Sequence, residues 1–293
     1  MSPTAVASAP AKVNLRLRVL GKRTDGYHEI DTLFQAVDLA DEVSVRLGDP
    51  GVRLAVVGAD LGPPEDNLAH RAAARLMAEV GFDGGCDVRL VKHIPAGAGL
   101  GGGSSDGAAV LRCVARLLGL AADDARVGHV AGGLGSDVPF FLGASPLARG
   151  RGRGELLEPL QHLPVADFVL VSPPVHVSTA AAYQSLARSL RRATRATEPD
   201  AGVPRSWAEV AALAFNDFQD VIEGAHPEVR RALEAIESAG ASFALMSGSG
   251  SSVFGLFANR ADAEGASAAL TGELGWTCRA VRTLVAMPEP HVA

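Results

Sequence analysis

The chain has little with which to cross a membrane, cage a metal or grip a nucleic acid. Nothing in its 293 residues approaches the roughly 18 consecutive apolar positions that a membrane helix needs. The start, MSPTAVASAPAKVNLRL, lacks a basic segment followed by a continuous apolar one, so no signal peptide is expected. Its first eight or nine residues are small and polar and read as a loose tail. Cysteine is scarce. Cys86, Cys113 and Cys278 are odd in number and far apart, with no Cys-x-x-Cys or Cys/His spacing for a metal site. Unpaired thiols suit a reducing cytoplasm, and Cys113, inside an apolar helical pattern, is expected in a core. Runs of positive charge are also missing. With 27 Lys and Arg against 33 Asp and Glu, the formal net charge is −6. The nearest approaches to a basic block, ARGRGRG (148–154) and RSLRRATR (188–195), read as solvated faces, and no nucleic-acid or membrane partner is expected.

What remains is enough for a packed globular protein: 47% of the residues are hydrophobic and 20% charged, over a length that suits two modest domains. KVNLRLRVLG (12–21) alternates Val13, Leu15, Leu17 and Val19 with polar residues, the period of a strand with one buried face. EVSVRLGDPGVRLAVVG reads as two strands joined by the turn Asp49-Pro50-Gly51. Leu68, Ala72, Leu76 and Val80 recur at helical spacing, and CDVRLVKHIP is a strand that Pro95 ends. Further on, DFVLVSPP is a compact strand, PEVRRALEAIESAG a helix opened by Pro227, and SFALMSGSGSSVFGLFA two strands around a serine-glycine loop. RADAEGASAALTGEL and TCRAVRTLVA supply a last helix and strand. The texture changes near Gly150, and a domain boundary is expected at residue 154, giving units 1–154 and 155–293.

The most informative stretch is HIPAGAGLGGGSSDGAA (93–109), lying between a strand and the helical pattern of Val110, Leu111, Val114, Leu117 and Leu118. Glycines allow φ > 0, so successive backbone N–H groups can turn inward, and the free N–H groups of a following helix add to them. Such a place favours a polyanion, phosphate above all. Ser104 and Ser105 add hydroxyls, and Asp106 suits an N-terminal turn. No Gly-Lys-Ser/Thr ends the loop, which excludes the Walker type. Gly97, Gly99 and Gly102 match the dinucleotide spacing. Asp123 and Asp124, however, come after the helix with no clear strand following, which disfavours an oxidoreductase.

Pro95-Ala96-Gly97-Ala98-Gly99-Leu100-Gly101-Gly102-Gly103-Ser104-Ser105-Asp106 resembles the loop of the GHMP kinase superfamily, with Gly107 where that family more often has alanine. APAKVNL near the start and LMSGSGSSVFGLF (245–257) resemble the first and third motifs of the same family, in the same order. RTDGYHEIDTLFQAVDLADEV and GLGSDVPFFL (133–142) are similar to the branch that acts on a cytidine-diphosphate-linked methylerythritol. The resemblance implies an α+β, two-domain fold: an N-terminal mixed β/α nucleotide-binding domain and a C-terminal ferredoxin-like α/β sandwich, with the active site in the cleft between them. It also implies transfer of the ATP γ-phosphoryl to the substrate's 2-hydroxyl by a cytoplasmic enzyme, monomer or homodimer, with Mg²⁺ bridging the ATP phosphates. Other kinases of the family, of homoserine or mevalonate type, and a non-catalytic ligand-binding member remain alternatives. The Asp25-Gly26-Tyr27-His28 element and the retention of both Lys12 and Asp137 speak against them.

By the same resemblance, Asp137 is the general base and Lys12 its partner, brought together only by the fold. Asn14, two residues after Lys12 on a strand, shares its face and suits a polar contact to the substrate. Tyr27 and His28 are implied to form the cytidine pocket, by stacking and by base-edge hydrogen bonds, with Phe34 and Tyr183 closing around the base. The backbone from Pro95 to Ser105 is implied to cradle ATP, with Asn67 and Lys92 near the nucleotide. Ser247, Gly248, Ser249 and Gly250 are implied as a second donor surface. No all-protein metal cage is evident, and no metal ligand is named.

Overall fold

The computed structural model describes residues 3–121, 123–190 and 202–293. Its first half runs β1 (Thr4–Lys22), β2 (His28–Gly48), β3 (Gly51–Val57), α1 (Leu68–Glu79), β4 (Gly85–Val91), α2 (Gly102–Leu117), α3 (Ala125–Leu134), α4 (Val138–Leu142), β5 (Leu147–Gly152) and β6 (Leu156–Pro159). The second half holds β7 (Asp167–Ser172), α5 (Thr179–Leu190), α6 (Trp207–Leu213), β8 (Phe215–Asn216), α7 (Gln219–Ala225) and α8 (Pro227–Ser238). It closes with β9 (Ala244–Met246), β10 (Val253–Phe257), α9 (Arg260–Leu274), β11 (Thr277–Arg282) and β12 (His291–Val292). The expected α+β architecture is what forms. One sheet has the order β12-β1-β2-β4-β3, with β5 also on β2, β6 on β5 and β8 on β1; the other is β11-β7-β10-β9 and fully antiparallel.

Strand β1 is longer and more enclosed than its alternation suggests. It begins at Thr4, so residues 4–9 are ladder and not a loose tail. Ala5, Ala7 and Ala9 are small enough to lie under the helices with Ala72, Leu76 and Val110. Nor is only one face buried: Lys12, Asn14 and Arg16 are 4%, 2% and 7% exposed. The reason is a change of face. Pairing jumps from Pro10↔Ala40 to Ala11↔Val37, which leaves two extra residues in β2. Such an irregularity re-aims side chains on either side of it. Ala5, Ala7 and Ala9 therefore join the helix-covered core, while Ala11, Val13 and Leu15 join a core shared with Phe168, Phe254 and Val281 of the second sheet. The even positions Lys12 and Asn14 are left facing the site.

The turn at Asp49-Pro50-Gly51 does connect two strands, but they do not pair. β4 inserts between them, antiparallel to β2 and parallel to β3. Burial explains the order, since β4 is mostly buried and takes the inner place while half-exposed β3 takes the edge. The chain leaves the first sheet at Pro159 and enters the second at Asp167, whereas residue 154 lies between the paired strands β5 and β6. We therefore propose drawing the division between the two units in 160–166. Even there it is incomplete, because β8 pairs parallel to β1 and β12 returns to it. Of the basic stretch 188–195, residues 191–195 lie outside the described residues. Cys113 is fully buried, in the core where it was expected.

Candidate functional site

A cleft of about 1290 Å³ is lined by both halves of the molecule. Its floor is the glycine loop between β4 and α2. Gly101 is the N-cap of α2 at φ +72°, and no side chain caps that end. The first intrahelical bond runs from Ser105 N to Gly101 O (2.9 Å), so the amides of Gly102, Gly103 and Ser104 precede the helical ladder. Uncapped amides at the positive end of a 16-residue helix donate to no side-chain cap and are suited to an anion such as phosphate. Gly99, at φ +78°, is required twice over: a Cβ there would lie 2.1 Å from Ser247 O.

Above the loop stands Lys12. Its ammonium donates to Asn14 Oδ1 (2.5 Å) and to Gly99 O (2.9 Å), and lies 3.8 Å from Asp137 Oδ2. Asn14 is fixed in turn: its Nδ2 donates to Thr32 Oγ1 (2.8 Å), which donates to Arg16 O (2.7 Å). Burial draws the Lys12 pKa below its ordinary value, and the adjacent Asp137 carboxylate opposes that shift. Asp137 precedes α4 but makes no side-chain cap bond to it, and its carboxylate lines the cleft.

Aromatic residues gather elsewhere along the cleft. His28, the first residue of β2, stacks on Tyr183 of α5 with centroids 4.3 Å apart and 16° between planes. Desolvation and then Lys22 hold the His28 pKa below its usual value, so the neutral ring is favoured there. Burial, and secondarily Asp137, pushes the Tyr183 phenol up to about 12. Tyr27 is 56% exposed, with the Arg153 guanidinium 4.9 Å from its ring centroid. Phe34 is 1% exposed. It packs on Phe140 at 5.0 Å and reaches the cleft as a wall under Lys12, whose ammonium is 5.6 Å from its centroid.

Every expected residue comes to this cleft except Ser105, Ser247 and Gly250, which stand behind its surface. Ser105 is 1% exposed, on the inner side of α2, and its Oγ has no partner among the described residues. Ser247 donates to Gly99 O (2.9 Å) and accepts from Asn14 N (3.3 Å), so the third motif braces the loop. Gly248 and Ser249 do line the cleft, and Ser249 Oγ is 3.0 Å from Thr179 Oγ1. Asn67 caps α1 by accepting from Ala69 N (2.9 Å) and also lines the cleft. Lys92 is no surface charge: its side chain is 5% exposed and pairs with Asp41 and Asp106. Asp106 therefore serves that pair and not the free amides of the helix start. Sequence reasoning missed Asp41, Thr32, Arg153 and His176, the last of which packs over Gly97. It also missed Asn216, whose amide donates to Met246 O (2.7 Å) and Gly248 O (2.8 Å). Of these, only Thr32 and Asp41 fell in a segment that the resemblance had singled out.

Known proteins place the arrangement. Residues 67–144 match the GHMP kinases N terminal domain and residues 189–275 the GHMP kinases C terminal domain. The chain is 46% identical over 280 residues to 4-diphosphocytidyl-2-C-methyl-D-erythritol kinase of Geobacter sp. (strain M21), covering 94% of this chain and 98% of that one. To the protein of the same name from Citrifermentans bemidjiense it is 44% identical, over 94% and 98% of the two chains. A crystal structure of 4-(cytidine 5'-diphospho)-2C-methyl-D-erythritol kinase superposes with a TM-score of 0.76 at 35% identity, covering 95% of this chain and 98% of that one.

Proposed function

The chain belongs to the GHMP kinase family, and on that premise we propose that it phosphorylates the 2-hydroxyl of 4-diphosphocytidyl-2-C-methyl-D-erythritol with ATP, in the non-mevalonate route to isopentenyl diphosphate. The observation that carries the reading is one side chain. Lys12 bonds the glycine loop at Gly99 O and faces Asp137 at 3.8 Å, joining a phosphate floor to a candidate base.

In this reading the ATP phosphates rest on the loop from Pro95 to Ser104 and on the uncapped start of α2, with Asn67 and Lys92 beside them. The cytidine lies among Tyr27, His28, Phe34 and Tyr183, which directs the methylerythritol hydroxyl at Asp137. Asp137 accepts the hydroxyl proton as the oxygen attacks the γ-phosphorus. The bond to the bridging oxygen breaks, and ADP leaves with that electron pair. Lys12 holds positive charge against the forming alkoxide without giving up its place on the loop. Ser247 to Gly250 keep the loop in register by bracing Gly99. Among the described residues no group of three or more His, Cys, Asp and Glu could cage a metal, so Mg²⁺, which neutralises phosphate charge, is read as arriving on ATP. No step is routed through it.

The test is ADP release coupled to a chromogenic reaction, with the cytidine-linked alcohol as acceptor. Turnover is expected with it and not with homoserine, mevalonate or a bare sugar alcohol, and the reverse preference refutes the reading. Asp137→Asn is expected to lower kcat by about 10²–10⁴-fold with a modest change in the KM for ATP.

A further inference from the structure

Beside the glycine loop, Lys92 belongs to a charge cluster whose two carboxylates have no part in the proposed reaction. Asp41 on β2, Lys92 just after β4 and Asp106 on α2 have side chains 0%, 5% and 1% exposed. The Lys92 ammonium donates to both carboxylates, at 2.7 Å to Asp106 Oδ2. The other Asp41 oxygen accepts the backbone N–H groups of His93 (2.5 Å) and Ile94 (2.8 Å), where the chain enters the loop. At the loop's exit the same ammonium sits over Gly102, 3.4 Å from where a Cβ would stand.

Stability alone does not account for this. Buried ion pairs are often no better than apolar side chains of the same volume. Here one ammonium serves two carboxylates, and Asp106 Oδ1 is buried with no partner among the described residues. Such an unsatisfied acceptor carries a cost of its own. What the cluster does accomplish is geometric. It ties the entrance of the loop to its exit, across the span on which phosphates would rest.

We propose that Asp41 and Asp106, gripping Lys92 from two sides, are positioning residues for the nucleotide: they set the span of the glycine loop and hence the convergence of its amides. This rests on the reading of the loop as the ATP site. Asp41→Asn, Asp106→Ala and Asp106→Asn test it, with KM and kcat measured for each substrate, ATP binding followed by calorimetry, and folding by circular dichroism. Asp41→Asn and Asp106→Ala are expected to raise the KM and Kd for ATP about tenfold, with the KM for the cytidine-linked alcohol within about twofold. Asp106→Asn, which keeps an oxygen for Lys92, is expected to recover most of the affinity lost in Asp106→Ala. Folded variants whose ATP affinity equals that of the unmodified chain overturn the proposal. So does a parallel rise in both KM values, the mark of general loosening. Should Asp41→Asn not fold, Asp106→Ala against Asp106→Asn decides by the same criteria. An unmodified chain that fails to bind ATP overturns the nucleotide reading, and the clamp with it.

Discussion

A carboxylate held away from water carries its history into the pH dependence of folding. Burial pushes the Asp106 carboxyl up to about 7; Lys92 pulls it down and Asp41 raises it further. An unfolded aspartate titrates near 3.9, so from there to about 7 the folded chain keeps a proton that the unfolded chain has released. Stability therefore falls as pH rises through that window, at most about 1.4 kcal/mol per pH unit from this one group. Asp106→Asn removes the effect. The difference in unfolding free energy between variant and unmodified chain, measured in urea from pH 5 to 8, is expected to shift in favour of the variant as pH rises, and equal slopes would refute this. Lys12, Asn14 and the loop glycines were legible because their spacing repeats a family pattern. Asp41 was not singled out, since a lone aspartate in an alternating strand carries no local sign of the amides it will accept.

Between residues and molecule stand the loop and the strands that hold it. Two glycines separate backbone strain from crowding. Gly99 (φ +78°) and Gly119 (φ +68°) are both left-handed, but a Cβ meets Ser247 O at 2.1 Å in the first and nothing within 4 Å in the second. Gly119→Ala is expected to cost about 1–2 kcal/mol of stability with kinetics unchanged. Gly99→Ala adds displacement of the third motif and of the Lys12 bond, and kcat/KM is expected to fall at least about tenfold. Equal kinetics for the two would show that the Gly99–Ser247 contact has no bearing on turnover. Elements with strong periodicity, α1, α2 and α8, were readable in advance. α6 carries a signal that went unread: Ser206 accepts from Glu209 N (3.2 Å) and Glu209 reaches back to Arg205 N (2.7 Å), a reciprocal helix start opening the largely apolar run WAEVAAL. β8, only two residues long, has no sequence signature at all.

At the scale of the molecule, the two sheets are not separable bodies. β8 pairs with β1, Asp217 Oδ2 accepts from Val19 N (2.7 Å), and one apolar core holds Val13 and Leu15 together with Phe168 and Phe254. Both tryptophans, Trp207 and Trp276, lie in the second half, whereas α1 to α4 lie in the first. Urea unfolding followed by tryptophan fluorescence and by far-ultraviolet circular dichroism is therefore expected to give one coincident transition, and separated midpoints would contradict the shared core. The sequence by itself determined the elements of long period and the glycine loop, and its resemblance to a family pattern marked Lys12 and Asp137 as candidates, because period and motif are local properties of a chain. Only the tertiary structure decided which face of β1 carries Lys12, that β4 separates β2 from β3, and that Asp137 lies 3.8 Å from Lys12. Those depend on register and on burial from both sides, and a contact across 125 residues leaves no trace in the spacing of either partner.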